Sequence, residues 1–320
     1  MISRERVIRA IKLEGPDYPP VFMFNRDKEL SDVASCGFGC AASFVQDVPY
    51  RTEWGYILKP HKGTMGQPEE APLAGGWENW DSFKPPNGSD PSRLAPLAEF
   101  IKANPDRFKT VGLGLTGFNS ASFIRGMTDF MEDLYLEPER IRDLLDVVFG
   151  FECDVIRLVC ENCPEIDGFE FYDDWGTQNG LLVSPNMFRE LFAPYYAEQF
   201  KLIHSYGKYV FFHSCGNVWD IIPDLIECGA DILNLNQPDV FGLERLGEQF
   251  GGKVCFACPV DHQTVAITGN DQEITDYVKR LNSSLGSYNG GWIGVLEDYA
   301  CCGMSESAYQ SIKRNMFARG

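Results

Sequence analysis

Positive charge is scarce in this chain. Against 46 Asp and Glu stand only 28 Lys and Arg, a formal net charge of −18 over 320 residues. An excess of that sign repels phosphate backbones and anionic lipid, which argues against general nucleic-acid or membrane-surface binding and favours solubility. A local basic pocket is still allowed. Long apolar runs are missing too, for none approaches the roughly 20 residues that a bilayer span needs. Met1-Ile-Ser-Arg-Glu-Arg carries charge with no apolar core behind it, so it does not read as a signal peptide. The expectation is a soluble, cytoplasmic protein. Histidine is also rare, with four in all (61, 204, 213 and 262), so one placed at a strand end counts.

Cysteine is not scarce. There are eleven, an odd number with no secretory signal, which argues against a disulfide framework and for free thiols, most of them packed as small apolar residues. Cys255 and Cys258 look like half of a zinc knuckle. Positions three apart on a strand face opposite sides, however, so core packing is the better reading. Cys36/Cys40 and Cys160/Cys163 lack a second pair and are read as structural.

From about residue 164 the chain alternates regularly. Apolar segments at 168–172, 208–212, 231–235, 253–257 and 291–296 read as strands covered on both faces. Helical patterns at 185–204, 218–228, 243–250, 272–285 and 306–318 separate and follow them. Ser184 before Pro185 is an N-cap followed by proline at the first helical position. Strand, helix, strand at this spacing implies right-handed crossovers and a parallel sheet, and five units without a break favour a closed (β/α)8 TIM barrel. Residues 20–24 and 110–115 read as further strands and 139–160 as a long helix. The stretch 52–96, rich in Gly, Pro and Trp, reads as an irregular insertion over a barrel mouth. With no linker or repeat in sight, 1–320 is taken as one domain.

The chemistry gathers where the strands end. Tyr209-Val-Phe-Phe-His213-Ser-Cys215-Gly-Asn places an imidazole and a thiol two residues apart, on one side of an extended segment. Soft N and S donors converging on a rigid element begin a zinc site. Cys301-Cys302-Gly303 after the last strand offers a third ligand, Cys302 being preferred because the glycine beside it permits a tight approach. Three protein ligands leave one position open, the catalytic arrangement. Asp173 or Asp174 would serve as acid, base or substrate-binding carboxylate, or cap the next loop. Trp175 either stacks on a ligand or packs beneath that loop. Asn234 and Gln237 are pocket contacts or loop caps, and Glu297 and Asp298 orient a ligand or bind the metal themselves.

Phe212-His-Ser-Cys-Gly-Asn-Val, the stretch 221–234 (IIPDLIECGADILN) and Asp173-Asp-Trp-Gly-Thr-Gln together resemble the uroporphyrinogen decarboxylase superfamily, and within it the cobalamin-dependent methyltransferase branch. The resemblance is clear from about residue 168 onward. It implies a (β/α)8 barrel, and zinc held by His213, Cys215 and Cys302. It also implies transfer of a methyl group between a corrinoid-binding partner protein and a small molecule, a thiol or a methoxy or methylamine compound. The decarboxylases carry an Arg-Gln-Ala-Gly-Arg-like motif near the N-terminus and a late histidine. Residues 20–27 lack the first and nothing after His262 supplies the second. No Asp-x-His-x-x-Gly corrinoid motif occurs, so the cobamide would come from the partner. The alternatives are a metal-independent decarboxylase-like lyase using Asp173 or Asp174, and a non-catalytic corrinoid or tetrapyrrole binder.

Overall fold

Eight parallel strands form the wall of a TIM barrel in a computed structural model that describes residues 1–60 and 68–318. They are β1 Val21–Met23, β2 Val33–Gly37, β3 Phe108–Leu115, β4 Gly168–Tyr172, β5 Tyr209–Ser214, β6 Ile232–Leu235, β7 Cys255–Pro259 and β8 Trp292–Leu296. Neighbours in sequence are neighbours in the wall from β2 to β8, and β8 pairs back onto β1. The last seam, between β1 and β2, has no ladder. Asp32 N donates to Val21 O at 2.8 Å, Val21 N to Asp32 Oδ2 at 3.0 Å and Met23 N to Ser31 Oγ at 2.9 Å.

The helices of seven residues or more are α1 Ser3–Ile11, α2 Leu97–Ala103, α3 Gly117–Arg125, α4 Met127–Leu136, α5 Pro138–Asn162, α6 Ala193–Ser205, α7 Ile222–Cys228, α8 Leu243–Phe250, α9 Asp271–Leu281 and α10 Glu306–Met316, among the described residues. The period of two in each strand divides the core. One set, Phe22, Val33, Phe108, Phe211, Ile232, Cys255 and Ile293, points inward and is closed from below by Val7, Ala10 and Ile11 of α1. The alternate set, including Phe169, Phe171, Val210, Phe212, Leu233, Phe256 and Cys258, faces the helices. With both faces buried, the strands are largely apolar on both sides, and the 3.6-residue period is confined to the helices. Cys255 and Cys258 therefore lie on opposite faces of β7, both in packed core.

The strand predicted at 168–172 has its observed bounds, and the other four of that half shift by one or two residues. β2 has no counterpart in the predicted set. Its sequence, Val-Ala-Ser-Cys-Gly, is too small and polar to read as a buried strand. The helix predicted at 185–204 is broken into a short turn Pro185–Met187, a π-turn Phe188–Phe192 and α6, with Ser184 Oγ accepting from Met187 N at its start. The stretch 52–96 is irregular as expected, with a two-residue antiparallel pairing of Ile57–Leu58 and Pro68–Glu69 and 3-10 turns at Trp80–Ser82 and Pro91–Leu94. Residues 61–67 of it lie outside the described residues. Among the described residues no helix is long and apolar enough to cross a membrane.

Candidate metal centre

Strand register sets the centre. Tyr172 on β4 pairs with His213 on β5, and His213 pairs with Asn234 on β6, so three side chains stand abreast near the carboxyl ends of adjacent strands. One period further on come Asp174, Cys215 and Asn236. All six line a cavity of about 490 Å³, together with Phe22, Phe24, Leu58, Leu115, Val295, Glu297 and Tyr299. Below this level the barrel interior is mostly apolar, with Ser35, Thr110 and Glu170 as a polar group; at it, polar side chains gather on one wall of the cavity.

The imidazole of His213 is held in one tautomer. Asn234 Nδ2 donates to Ala257 O at 2.6 Å, which turns Asn234 Oδ1 toward His213 Nδ1 at 2.7 Å. An amide oxygen only accepts, so Nδ1 carries the proton and Nε2 is left facing the cavity. Cys215 Sγ lies 3.5 Å and Asp174 Oδ1 3.4 Å from Nε2. One ligand atom from each of the three residues lies within 4.8 Å of the others. Zinc bonds of about 2.0–2.1 Å to N and O and 2.3 Å to S, at tetrahedral angles, give N···S and N···O edges of about 3.6 and 3.3 Å. The donor types and spacing fit such an ion. Burial opposes charge on His213, but Cys215 and Asp174 outweigh it and hold its pKa well above the ordinary value. Burial likewise opposes charge on Asp174, yet His213 and the Cys215 amide, which donates to Oδ1 at 2.8 Å, keep its pKa below the usual carboxylate range.

Two glycines bring the loops after β4 and β5 into register. A Cβ on Gly176 would lie 2.8 Å from Cys215 O, and one on Gly216, whose φ is +76°, would lie 2.3 Å from the Gly176 carbonyl carbon. Only bare backbone permits that contact, which sets Asp174 against Cys215.

The other predicted residues fall elsewhere. Asp173 is fully buried on the helix side of the wall, where it accepts from Phe118 N at 2.9 Å, Asn119 N at 2.8 Å and the Tyr196 hydroxyl. Burial drives its pKa well up, against those donors. Trp175 has no exposed surface and packs beneath the loop among Phe118, Phe188 and Phe192. Gln237 accepts from Gly216 N at 2.7 Å and steadies the His-x-Cys turn without lining the cavity. Cys302 is not brought to His213 and Cys215. It sits exposed in the turn Ala300–Cys302, its sulfur 3.8 Å from that of Cys301. That turn is moored by Tyr299, which donates to Glu297 at 2.7 Å and packs against His262 with ring centres 3.8 Å apart, and by the Arg26–Asp298 ion pair at 3.1 Å. Glu297 faces the cavity, its pKa raised by burial against the Tyr299 hydrogen bond.

Sequence reasoning passed over Glu170, Tyr172, Asn236 and Tyr299. Glu170 is fully buried inside the barrel and accepts from Ser35 Oγ at 2.9 Å and from the hydroxyls of Thr110 and Tyr172. Burial raises its pKa, and the three hydroxyls pull the other way. The signal was available in the period of two: Glu170 and Tyr172 share parity with Asp174, and Asn236 with Asn234.

Comparison with known proteins gives a family and a fold. Residues 58–294 match the family model described as uroporphyrinogen decarboxylase (URO-D). No curated protein sequence matches. Among solved structures, a methyltransferase from Methanosarcina mazei superposes with a TM-score of 0.70 at 14% identity, covering 99% of this chain and 98% of that one. A glycosylated endo-β-1,4-xylanase from Gloeophyllum trabeum gives 0.45 at 11% identity, over 71% and 80% of the two chains. A 3-keto-D-glucoside 4-epimerase from E. coli gives 0.43 at 11%, over 72% and 88%.

Proposed function

Because this chain belongs to the uroporphyrinogen decarboxylase family, and its barrel mouth gathers N, S and O donors at one point, we propose that it is a zinc-dependent methyltransferase. It moves a methyl group between a corrinoid carried by a partner protein and a small molecule, either a thiol or a methoxy or methylamine compound. The observation that carries this reading is the convergence of His213 Nε2, Cys215 Sγ and the Asp174 carboxylate at tetrahedral edge spacing on the wall of an otherwise largely apolar cavity. The likeness to the M. mazei methyltransferase, which extends over nearly the whole of both chains, is in keeping with it.

Zinc bound there would favour the thiolate form of a substrate thiol, or polarise the oxygen or nitrogen of a methyl donor. His213 and Cys215 would hold it, with Asp174 as the third donor in the arrangement described and Cys302 as a ligand only after its turn has moved. The protein's own groups do the rest. Asn234 Oδ1 accepts from Nδ1–H, so that Nε2 is the nitrogen turned to the metal position, and a bound ion would displace the proton that Cys215 and Asp174 favour there. Phe22, Phe24, Leu58 and Leu115 exclude water from the reacting atoms, which strengthens every charge interaction there. Tyr172, with its hydroxyl committed to Glu170, lines the same space, its ring centre 5.6 Å from that of His213.

The test is elemental analysis of protein purified without added metal, followed by thiol methylation from methylcobalamin. One zinc per chain, lost in Cys215→Ser, with methyl transfer that needs the metal, is the expected result. Zinc retained in Cys302→Ser and weakened in Asp174→Asn would assign the third position to the carboxylate. A protein that takes up no zinc even after reconstitution under reducing conditions would sink the reading in favour of a decarboxylase-like lyase or a binding protein.

A further inference from the structure

The wall of the barrel is open on one side. Between β1 and β2 the chain crosses in nine residues, 24–32, with only the 3-10 turn Lys28–Leu30 and no covering helix, whereas parallel strands are ordinarily joined by a dozen residues or more. The seam bonds of Asp32 and Ser31 lie at its lower end. Above them β2 pairs only with β3, and a cavity of about 600 Å³ fills the gap. Its lining mixes both parities of the same strands: inward-facing Phe22, Phe24, Ser35 and Tyr172, and outward-facing Ala34 and Cys36. It therefore passes through the wall. Inside, it shares Phe22, Phe24, Gly114 and Tyr172 with the cavity of the metal centre, so the two adjoin across those side chains.

Charge distinguishes the outer end. In a chain of net charge −18, this cavity is lined by Lys28 and Arg107 and by no Asp or Glu. Among the described residues neither cation is in an ion pair. Arg107 instead donates to the carbonyls of Lys28, at 2.8 Å, and Glu29, which pins the turn while leaving its charge uncompensated. Asn25 and Asn104 add neutral polar groups. Aromatic rings within and two cations at the rim match one kind of ligand, an apolar or aromatic body that ends in an anion.

We infer that this side window is a subsite for the anionic end of an elongated, partly aromatic substrate, whose reacting atom lies at His213, Cys215 and Asp174. The position of the reacting atom rests on the reading under Proposed function; the anion site does not.

Isothermal titration of the full chain with 4-phenylbutanoate and with its neutral amide, on zinc-loaded and chelator-stripped protein, tests it. The acid should bind at least about tenfold more tightly than the amide, with or without zinc, and the difference should shrink in high salt. Lys28 is exposed, so Lys28→Glu leaves the fold intact and should remove the preference for the acid. A Cβ on Gly37 meets nothing nearer than Gly112 O at 3.9 Å, so Gly37→Leu fits the backbone and should block both ligands. Equal binding of acid and amide, or a preference unchanged in Lys28→Glu, would overturn the window. A retained preference in a protein that takes up no zinc would instead overturn the metal reading and leave the window standing.

Discussion

At the end of β4 two neighbouring carboxylates face opposite ways. Asp173 turns out toward the helices, where it accepts the first free amides of α3 and the Tyr196 hydroxyl and meets no cavity. Asp174 turns in, toward His213 and Cys215. The same division runs round the wall. On the helix side buried polar groups such as Glu152, which accepts from Gly117 N at 2.8 Å and Gln199 Nε2 at 2.6 Å, satisfy backbone and hold the layers together. On the inner side Asp174, His213 and Cys215 converge at the wall of one cavity. A buried carboxylate is therefore informative only once its face is known.

That comparison can be broken from either side. The largest effect is expected at the inner face, where His213→Ala should weaken zinc binding on the order of 10³-fold, read by competition with a chelating dye, while the melting temperature of the metal-free protein holds. Asp173→Ala should do the reverse. It leaves three buried donors without an acceptor, at a cost of about 3 kcal/mol or more in urea unfolding, with the zinc content of the folded fraction unchanged.

Glu152 sharpens the contrast through pH. Burial pushes its pKa up to about 7, against the hydrogen bonds from Gln199 and Gly117. A carboxyl raised in this way favours the folded state fully below its unfolded value of 4.5, and that contribution is lost as pH climbs through 7. Glu152→Gln should flatten the fall in stability between about pH 5 and 8, which amounts to about 2–3 kcal/mol. Its new amide also suits Gln199 Oε1, buried with no partner in the wild type. The smallest effect is expected at Asn234→Ala, which frees the imidazole without removing a donor. Zinc affinity should drop about 10–100-fold, with stoichiometry retained at high metal concentration.

The sequence carried the barrel clearly wherever strands are sandwiched between core and helices, because apolar runs such as 209–212, regularly spaced between helical patterns, read as buried strands. β2 was illegible for the opposite reason. It flanks an open seam and a polar interior, so Ser35, Cys36 and Gly37 carry no hydrophobic signal. His213 and Cys215 were readable because a period of two is enough to put them together. Telling Asp173 from Asp174 needed the parity of β4, and Glu170 was masked by its apolar neighbours. Trp175 and Gln237 depended on how two loops stack, and Cys302 on where a surface turn is moored, neither of which leaves a trace in local pattern.

The closure of the ring also bears on how the chain is made. β1, three residues long, has its only ladder among the described residues with β8, and Asn25 bonds to Asp298 across 273 residues. Arg26 and Asp27 reach equally far, to Glu306 and Lys313. On the ribosome, β1 emerges before the other strands of the barrel and has no strand partner until β8 has been translated. α1, bearing the apolar Val7, Ala10 and Ile11, waits with it for a barrel floor to cover. Until then the nascent barrel is an open sheet with two exposed edges, and the interval before β8 appears is when a chaperone has the most to hold.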